Sequence, residues 1–199
     1  MTMTRIVRDG MEADAVACAA IYAPYVRDTA VTFETEPPDT AEFARRIAAA
    51  TARHAWLVLE DDGRVTGYAY GGPFKERAAY RYACEVSVYL EHGLRRSGGG
   101  RALYSALLAR LAERGYRTAA AVIALPNDAS VALHSALGFT PVGTFRRIGW
   151  KHDRWHDVAW MQRDLGVGDT TRSSSAPSAT MDRRQRRRPT ARPGGETTR

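Results

Sequence analysis

Residues Glu85–Leu103 read E-V-S-V-Y-L-E-H-G-L-R-R-S-G-G-G-R-A-L. The first part of this segment, together with the residues back to Ala79, is rich in β-branched and aromatic side chains and predicts a strand ending at Leu90. A basic segment and three glycines follow. Leucines spaced four residues apart then predict a helix, at Leu103, Leu107 and Leu111. The chain therefore passes from a strand through a basic glycine-rich turn into a helix.

This turn predicts a binding site for a diphosphate. Glycines let backbone N–H groups approach an anion closely, and the start of a helix adds partial positive charge. A Walker loop requires Gly-Lys-Ser/Thr, but Gly100 is followed by Arg101. The dinucleotide pattern G-x-G-x-x-G fails at Leu103. The pattern that fits is R-x-x-G-x-G over Arg95–Gly100, which by itself is equally compatible with a loop that needs glycine only for turning.

Composition indicates one globular domain followed by a basic tail. The 199 residues are 44% hydrophobic, enough for a full core. Residues 167–199 hold eight arginines against three carboxylates, so five of the seven net positive charges lie there. Because this segment has almost no large apolar residues, we predict a domain over 1–166 and a disordered tail over 167–199. Arg183–Arg188 could contact nucleic acid, although a solvated extension is the preferred interpretation.

Several other classes of protein are not indicated. Cys18 and Cys84 are too few for a disulfide framework and lack metal-ligand spacing, so we expect two small core residues and no metal. No apolar run approaches the ~18 residues of a membrane span. The N-terminus has no signal-peptide pattern. We therefore expect a cytoplasmic protein without membrane contact.

The order of elements predicts an α/β fold. The pattern is β-α-α-β-β-β-α-β-α-β-β, for which a mixed sheet with helices on both faces is the natural arrangement. Pro24 is expected to end the first helix, and Thr118–Leu125, apolar throughout, predicts a strand covered on both faces in a parallel pairing. The predicted strands are 4–8, 55–59, 65–70, 79–90, 118–125, 140–149 and 156–164, and the predicted helices are 11–25, one capped by Asp39 or Thr40, 100–114 and 130–137.

The glycine-rich motif resembles the pyrophosphate-binding motif of the GCN5-related N-acetyltransferases (GNAT), which hold acetyl-CoA there. From Thr4 to Leu165 the chain is more closely similar to one branch, the phosphinothricin N-acetyltransferase family. The resemblance implies a mixed, mostly antiparallel sheet of six to seven strands. It is carried by V-T-F-E-T-E-P (31–37), A-W-L-V (55–58), F-K-E-R-A-A-Y (74–80), E-V-S-V-Y-L (85–90), I-A-L-P-N-D-A-S-V-A-L-H-S-A-L-G-F (123–139) and K-H-D-R-W-H-D-V (151–158).

The resemblance implies a set of acetyl-CoA contacts. The backbone of the strand would hold the pantetheine arm beside a splay between this strand and the strand that begins at Thr118. The glycine-rich turn would wrap the pyrophosphate, and an asparagine would contact the pantetheine or adenine end. The implied cofactor-binding residues are Val88, Tyr89, Leu90, Arg95, Arg96, Ser97, Gly98, Gly99, Gly100, Arg101 and Asn127. Arg95 replaces the glutamine that often begins the family's motif.

The resemblance also implies two catalytic residues. Glu85 corresponds to the proposed general base, and its apolar neighbours are expected to raise the pKa of its carboxyl towards neutral pH. His134 stands where many relatives of the wider fold have a tyrosine that protonates the leaving thiolate. A histidine there could donate a proton, assist Glu85 or be structural.

The implied acceptor site lies on two loops. Lys75, Arg77 and Tyr80 match the loop that holds the anionic groups of the amino-acid substrate, and Phe33 matches an aromatic residue over it. Trp155–Asp157 is interpreted as structural support or as part of the surface of an expected homodimer. Arg81 and Tyr82 depart from the best-known members, so the preferred acceptor is open.

Three functions follow from these residues. The first is acetyl transfer from acetyl-CoA to the amino group of phosphinothricin or a similar amino acid, with methionine sulfone or sulfoximine as the alternative acceptor. The second is an acyl-CoA-binding module without turnover, against which Glu85 argues. The third is a nucleic-acid-associated protein that uses its arginine-rich tail.

Overall fold

The computed structural model describes residues 4–94 and 98–166. The predicted disordered tail therefore lies outside the described residues, as do Arg95, Arg96 and Ser97. The elements follow the predicted order: β1 Arg5–Asp9, α1 Ala15–Asp28, α2 Thr40–Arg53, β2 Ala55–Asp61, β3 Arg64–Pro73, β4 Ala83–Leu90, α3 Gly99–Glu113, β5 Thr118–Ala124, α4 Asp128–Ala136, β6 Thr140–Lys151 and β7 Arg154–Asp164. Short 3₁₀ turns span Glu12–Asp14 and Ala78–Tyr80.

The strands form one sheet in the order β1-β2-β3-β4-β5-β7-β6. Among the described residues β4 and β5 pair in parallel, and the other neighbours are antiparallel. The parallel pairing joins Ala83–Glu85 only to Thr118–Ala120. Beyond these residues β4 and β5 separate, which produces the splay that the resemblance implied. The prediction of a mixed, mostly antiparallel sheet is confirmed.

Helices cover both faces of the sheet and enclose two cores. On one face α1 and α2 pack through Tyr22 and Phe43 against Trp56 and Tyr68 of the sheet. On the other, α3 buries Leu103, Leu107 and Leu111, and α4 adds Leu133. Cys18 lies in the first core and Cys84 in the second, and burial raises the pKa of both thiols to about 12. Both cysteines thus act as small apolar residues.

Three predictions of element bounds were wrong. Pro24 lies inside α1, which continues to Asp28 because its last turn is buried at Val26. The helix also begins later than predicted, since Glu12–Asp14 forms a 3₁₀ turn ahead of it. The strand predicted from Ala79 begins only at Ala83, after the 3₁₀ turn Ala78–Tyr80.

The prediction for β5 was only partly right. β5 pairs along its whole length with the antiparallel strand β7, whereas its parallel pairing with β4 is limited to Thr118–Ala120. Val122 is 37% exposed, so the strand is not covered on both faces along its whole length. This side chain faces a cleft where β4 and β5 separate. Across the described part of the chain, no helix is both long and apolar enough to span a membrane.

Candidate active site

The separation of β4 and β5 opens a narrow cleft between the two strands. It continues to α3 and α4 on one face of the sheet, where Tyr104 and His134 form its wall. Val88 and Tyr89 of β4 line it, and Asn127 lies at the start of α4. Four residues assigned from the sequence to the catalytic or cofactor site thus meet in one cleft: Val88, Tyr89, Asn127 and His134.

A second, wider cleft of about 230 Å³ lies on the α1 and α2 face. Glu85 and Ser87 of β4 form its floor, with Tyr70 of β3 beside them and Phe33 and Glu34 above. The two clefts share several lining residues, namely Val31, Ser87, Tyr89, Val122 and Ala124. A group bound in the narrow cleft can therefore contact a group bound in the wide one.

Glu85 stands at the point where β4 and β5 part. It is the last residue of β4 that pairs with β5, opposite Ala120, and it pairs with Gly72 of β3 on its other side. Burial raises the pKa of its carboxyl, and the ammonium of Lys75 opposes that rise. Glu85 is thus a half-buried carboxyl in the floor of the wide cleft, two residues along β4 from Ser87, which lines both clefts. Its raised pKa makes it a stronger base than an exposed glutamate.

His134 is almost fully buried and bonded at both ring nitrogens. Nδ1 lies 2.7 Å from the carbonyl oxygen of Ser130, and Nε2 lies 3.0 Å from the hydroxyl of Tyr104. The carbonyl can only accept, so Nδ1 carries the proton and Nε2 accepts from Tyr104. Burial lowers the pKa of the imidazole, and the bond to the Ser130 carbonyl opposes this shift.

The glycines of the predicted pyrophosphate turn lie at the start of α3. Gly98 is the N-cap with φ 80°, a left-handed conformation that favours glycine. Gly99 and Gly100 form the first helical residues, and a Cβ at Gly100 would lie 3.3 Å from Leu133 of α4. Arg101 donates to the carbonyl of Ala136, also in α4. The start of α3 is thus packed closely against α4.

Asn127 has a defined local role as the N-cap of α4. Its Oδ1 accepts a hydrogen bond from the backbone N–H of Ser130 at 3.2 Å. This bond fixes the side chain at the mouth of the narrow cleft. The helix that it caps carries His134 two turns further on.

The loop between α1 and α2 covers the wide cleft. Phe33 is 38% exposed. Its ring packs against β6 at Gly149, where an added Cβ would be 2.2 Å from the ring. Glu34 accepts from Arg46 of α2 at 2.8 Å. Phe33, expected at the acceptor site, therefore lines the wide cleft.

The loop between β3 and β4 lies beside the wide cleft rather than in its lining. The Lys75 ammonium lies 5.5 Å from the ring of Phe74 and 5.6 Å from that of Trp160, distances typical of cation–π contacts. Tyr80 contacts Phe74 edge-on, at 5.5 Å between centroids. Arg77 is exposed at the start of the 3₁₀ turn. Of these expected acceptor residues, Lys75 acts electrostatically on Glu85.

Three site residues were missed from the sequence. Tyr104 follows the first leucine of the apolar stripe of α3 and therefore reads as a core residue, yet its hydroxyl bonds His134. Tyr70 and Ser87 face each other across β3 and β4 in the floor of the wide cleft. Alternation along β4 places Ser87 on the same face as Glu85, and that signal was available.

Comparison with known proteins identifies the family of the chain. The model of the acetyltransferase (GNAT) domain matches residues 7–160. A phosphinothricin N-acetyltransferase of Streptomyces viridochromogenes is 43% identical over 159 residues, 80% of this chain and 87% of that protein. A methionine sulfoximine/methionine sulfone acetyltransferase of Salmonella typhimurium is 35% identical over 163 residues, 80% of this chain and 94% of that protein.

A solved structure has the same fold. It is a GNAT-superfamily phosphinothricin acetyltransferase from Sinorhizobium meliloti in complex with acetyl-CoA, with a TM-score of 0.80 and 40% identity. The alignment covers 88% of this chain and 95% of that one. The chain therefore belongs to the GNAT acetyltransferases, in the branch of the phosphinothricin N-acetyltransferases.

Proposed function

We propose that this protein transfers the acetyl group of acetyl-CoA to the amino group of phosphinothricin or a similar amino acid. The observation that carries the proposal is the position of Glu85 in the floor of the wide cleft, two residues along β4 from Ser87, which also lines the cleft between β4 and β5. Direct transfer needs the donor and the amine to meet beside a base. Glu85 is the carboxylate on the same face of β4 as Ser87, next to the lining that the two clefts share.

The residues of the narrow cleft fit acetyl-CoA, which supplies an activated thioester when bound. Beyond Glu85 the β4 edge is not paired with β5, so backbone groups of Val88–Leu90 are placed to bond an extended pantetheine arm. Gly98–Gly100 at the start of α3 suit a pyrophosphate because backbone N–H groups and the helix dipole favour an anion there. Asn127 and Arg101 are the other described residues that we assign to acetyl-CoA. Arg95, Arg96 and Ser97 are proposed to bind the pyrophosphate, as the resemblance implies.

Glu85 is proposed as the general base. An amino acid's ammonium has a reference pKa of ~8 or above and must lose a proton before it can attack. The raised pKa of Glu85 makes its carboxylate a stronger base than an ordinary glutamate. It accepts the proton from the amine directly or through one water.

His134 is proposed to act through Tyr104. Its Nε2 accepts the proton of the phenol, so the ring fixes the direction of the Tyr104 hydroxyl in the wall of the narrow cleft. Burial raises the pKa of Tyr104, so its oxygen keeps the proton at neutral pH. Tyr104 thus holds an oriented hydroxyl near the thioester site, and His134 positions it.

The acceptor is proposed to be an amino acid with an oxygen-bearing, tetrahedral side-chain centre. The Streptomyces relative at 43% identity is named for phosphinothricin, whereas the methionine sulfoximine/sulfone enzyme is 35% identical. Lys75 acts electrostatically on Glu85 in the floor of the wide cleft, and Arg77 is exposed two residues further along the same loop. Both are proposed to bind an anionic group of the acceptor. These points favour phosphinothricin over methionine sulfone.

A thiol-release assay tests the proposal. The full-length protein is incubated with acetyl-CoA and a panel containing phosphinothricin, methionine sulfone, methionine sulfoximine and the common amino acids. We expect release of free thiol with phosphinothricin and the corresponding N-acetyl product by mass spectrometry. Binding of acetyl-CoA without release with any amine would favour a binding module. Salt-dependent DNA binding without transfer would favour the nucleic-acid alternative.

A homodimer is also proposed, with support from an exposed apolar face on β6 and β7. Its members are Val142, Phe145, Ile148, Trp150 and Trp155, each about half exposed or more. Exposed large apolar side chains grouped on one strand pair are typical of protein interfaces. Sedimentation should show a dimer for the wild type and a monomer for Ile148→Asp, whereas Val16→Asp on α1 should stay dimeric. Cytoplasmic location stays a prediction from the sequence.

A further inference from the structure

The β6–β7 turn bonds the loop that covers the wide cleft. Nζ of Lys151, the last residue of β6, donates to the carbonyl oxygen of Thr32 at 2.8 Å. Nε2 of His152 donates to the carbonyl of Thr29 at 3.2 Å. Two backbone carbonyls of the loop are therefore satisfied by side chains at one end of the sheet.

The aromatic ring of the same loop packs on the same strand pair. Gly149 leaves the space for Phe33, since a Cβ there would lie 2.2 Å from the ring. His156 lies beside that ring, 6.0 Å between centroids, and its Nε2 donates to the carbonyl of Lys151 at 3.0 Å. His156 thus fixes the backbone that carries Lys151, while Gly149 receives Phe33.

The other side of the loop is held by the helices. The Tyr22 hydroxyl lies 2.6 Å from Oγ1 of Thr32 and 3.0 Å from a carboxylate oxygen of Glu34. Arg46 donates to Glu34 at 2.8 Å. Thr32, Phe33 and Glu34 are consequently fixed between α1 and α2 on one side and the β6–β7 turn on the other.

We propose that Lys151 is a positioning residue for the amine acceptor: by holding the carbonyl of Thr32 it fixes Phe33 and Glu34 over the cleft. The inference rests on the proposed function, because it assigns the wide cleft to the acceptor. Lys151 is only 6% exposed. Burying an ammonium costs free energy unless hydrogen bonds or an opposite charge compensate it, so the bond to Thr32 matters here. The loop that it holds contributes Phe33 and Glu34 to the wide cleft only, and Val31 to both clefts. Loss of Lys151 should therefore affect binding of the acceptor more than binding of acetyl-CoA.

The test uses Lys151→Met and Gly149→Ala in the full chain. Lys151→Met removes the donor but keeps an unbranched side chain, and Gly149→Ala displaces Phe33 without touching Lys151. We expect each to raise KM for phosphinothricin by roughly tenfold or more, the scale for loss of a charge-assisted hydrogen bond or of a packed aromatic contact. KM for acetyl-CoA should rise much less, since Val31 is the one described residue of this loop that lines the narrow cleft. Gly143→Ala on the same strand is the matched control, because nothing lies within 4 Å of the added Cβ.

Hydrogen exchange provides a readout that does not depend on turnover. Backbone amides of residues 29–38 should exchange faster in Lys151→Met than in wild type, with the rest of the chain unchanged. If the wild type acetylates no amino acid, the proposed function fails. Hydrogen exchange alone then tests whether Lys151 holds the loop. If Lys151→Met does not fold, Gly149→Ala tests whether the position of the loop matters. The two readouts are the change in KM for phosphinothricin relative to that for acetyl-CoA, and the exchange rate of the loop amides. Unchanged exchange in the loop, or an equal rise of both KM values, would overturn the proposal.

Discussion

The hydroxyl of Tyr104 donates to Nε2 of His134 across 3.0 Å, while Nδ1 of the same ring donates to the carbonyl of Ser130. The imidazole therefore has no free nitrogen in its neutral form. Because burial lowers its pKa from an ordinary value of 6.5, it is neutral near pH 7 and has no extra proton to give. This geometry supports the proposal that His134 orients the phenol instead of acting as a proton donor.

A double-mutant cycle tests this relationship. Tyr104→Phe and His134→Ala should each lower kcat by about tenfold, the effect of one hydrogen bond of about 1.4 kcal/mol. The double variant should be little worse than either single one, because each change already breaks the hydrogen bond between Tyr104 and His134. Additive losses in kcat would contradict the account and restore an independent catalytic role to His134.

Glu85→Gln should raise thermal stability at neutral pH. The folded-state pKa of Glu85 is above its ordinary value because of burial, so ionisation destabilises the folded state as pH rises through that range. Glutamine removes this cost. The gain should vanish below about pH 4, where Glu85 is protonated in both states.

Glu42→Gln is the control of opposite sign. Arg46 and Arg45 lower the pKa of Glu42, so its carboxylate stabilises the folded state above its ordinary pKa and its loss should lower the melting temperature at neutral pH. Both variants are measured by calorimetry between pH 3.5 and 8. A lower melting temperature for Glu85→Gln at neutral pH would show that the carboxylate is stabilised where it lies.

Elements with local signals were predictable from the sequence. Asp39 caps α2 by accepting from the N–H of Glu42, as its position before the helix indicated. Asp62 and Gly63 both have positive φ, 49° and 81°, and close the predicted hairpin between β2 and β3. The catalytic assignment of Glu85 came from the resemblance, and its apolar neighbours predicted the direction of its pKa.

Features that depend on contacts between distant segments were not predictable. Pro24 was expected to end α1, but the following turn stays helical because Val26 is buried and Tyr25 donates to the carbonyl of Leu90. Nothing in the spacing along α3 distinguishes Tyr104 from a core residue, since its partner is thirty residues away. Lys151 bonds a carbonyl in a loop from the other end of the chain. Such pairings follow from the topology of the sheet.

Gly98→Asp should weaken acetyl-CoA binding by roughly tenfold to a hundredfold, since it opposes a bound anion with a charge worth about 1.5–3 kcal/mol. The matched control is Gly63→Asp. Both glycines have nearly the same φ, 80° and 81°, and no atom within 4 Å of an added Cβ. Backbone strain is therefore equal in the two variants, and calorimetric titration isolates the anion site. Equal affinities would remove the start of α3 from the cofactor site.

Lys75→Ala should raise KM for phosphinothricin and also shift the pH dependence. The Lys75 ammonium lowers the pKa of Glu85, so its removal raises that pKa and moves the acid limb of kcat/KM to higher pH. Arg77→Ala should raise the same KM, and Arg45→Ala on the exposed surface of α2 should change neither quantity. If Lys75→Ala and Arg77→Ala raised KM for acetyl-CoA as much as for phosphinothricin, this loop would lie outside the acceptor site.

The most direct test of the account is kcat/KM for phosphinothricin, measured against pH for the wild type and for Glu85→Gln. If Glu85 is the base, kcat near pH 7 should fall by roughly 10²–10⁴-fold, the usual contribution of a positioned base. Acetyl-CoA affinity should hardly change, and the variant should recover as pH rises because more of the amine is already deprotonated. A variant that keeps most of its kcat near pH 7, with its fold intact, would contradict the assignment and leave transfer to positioning alone.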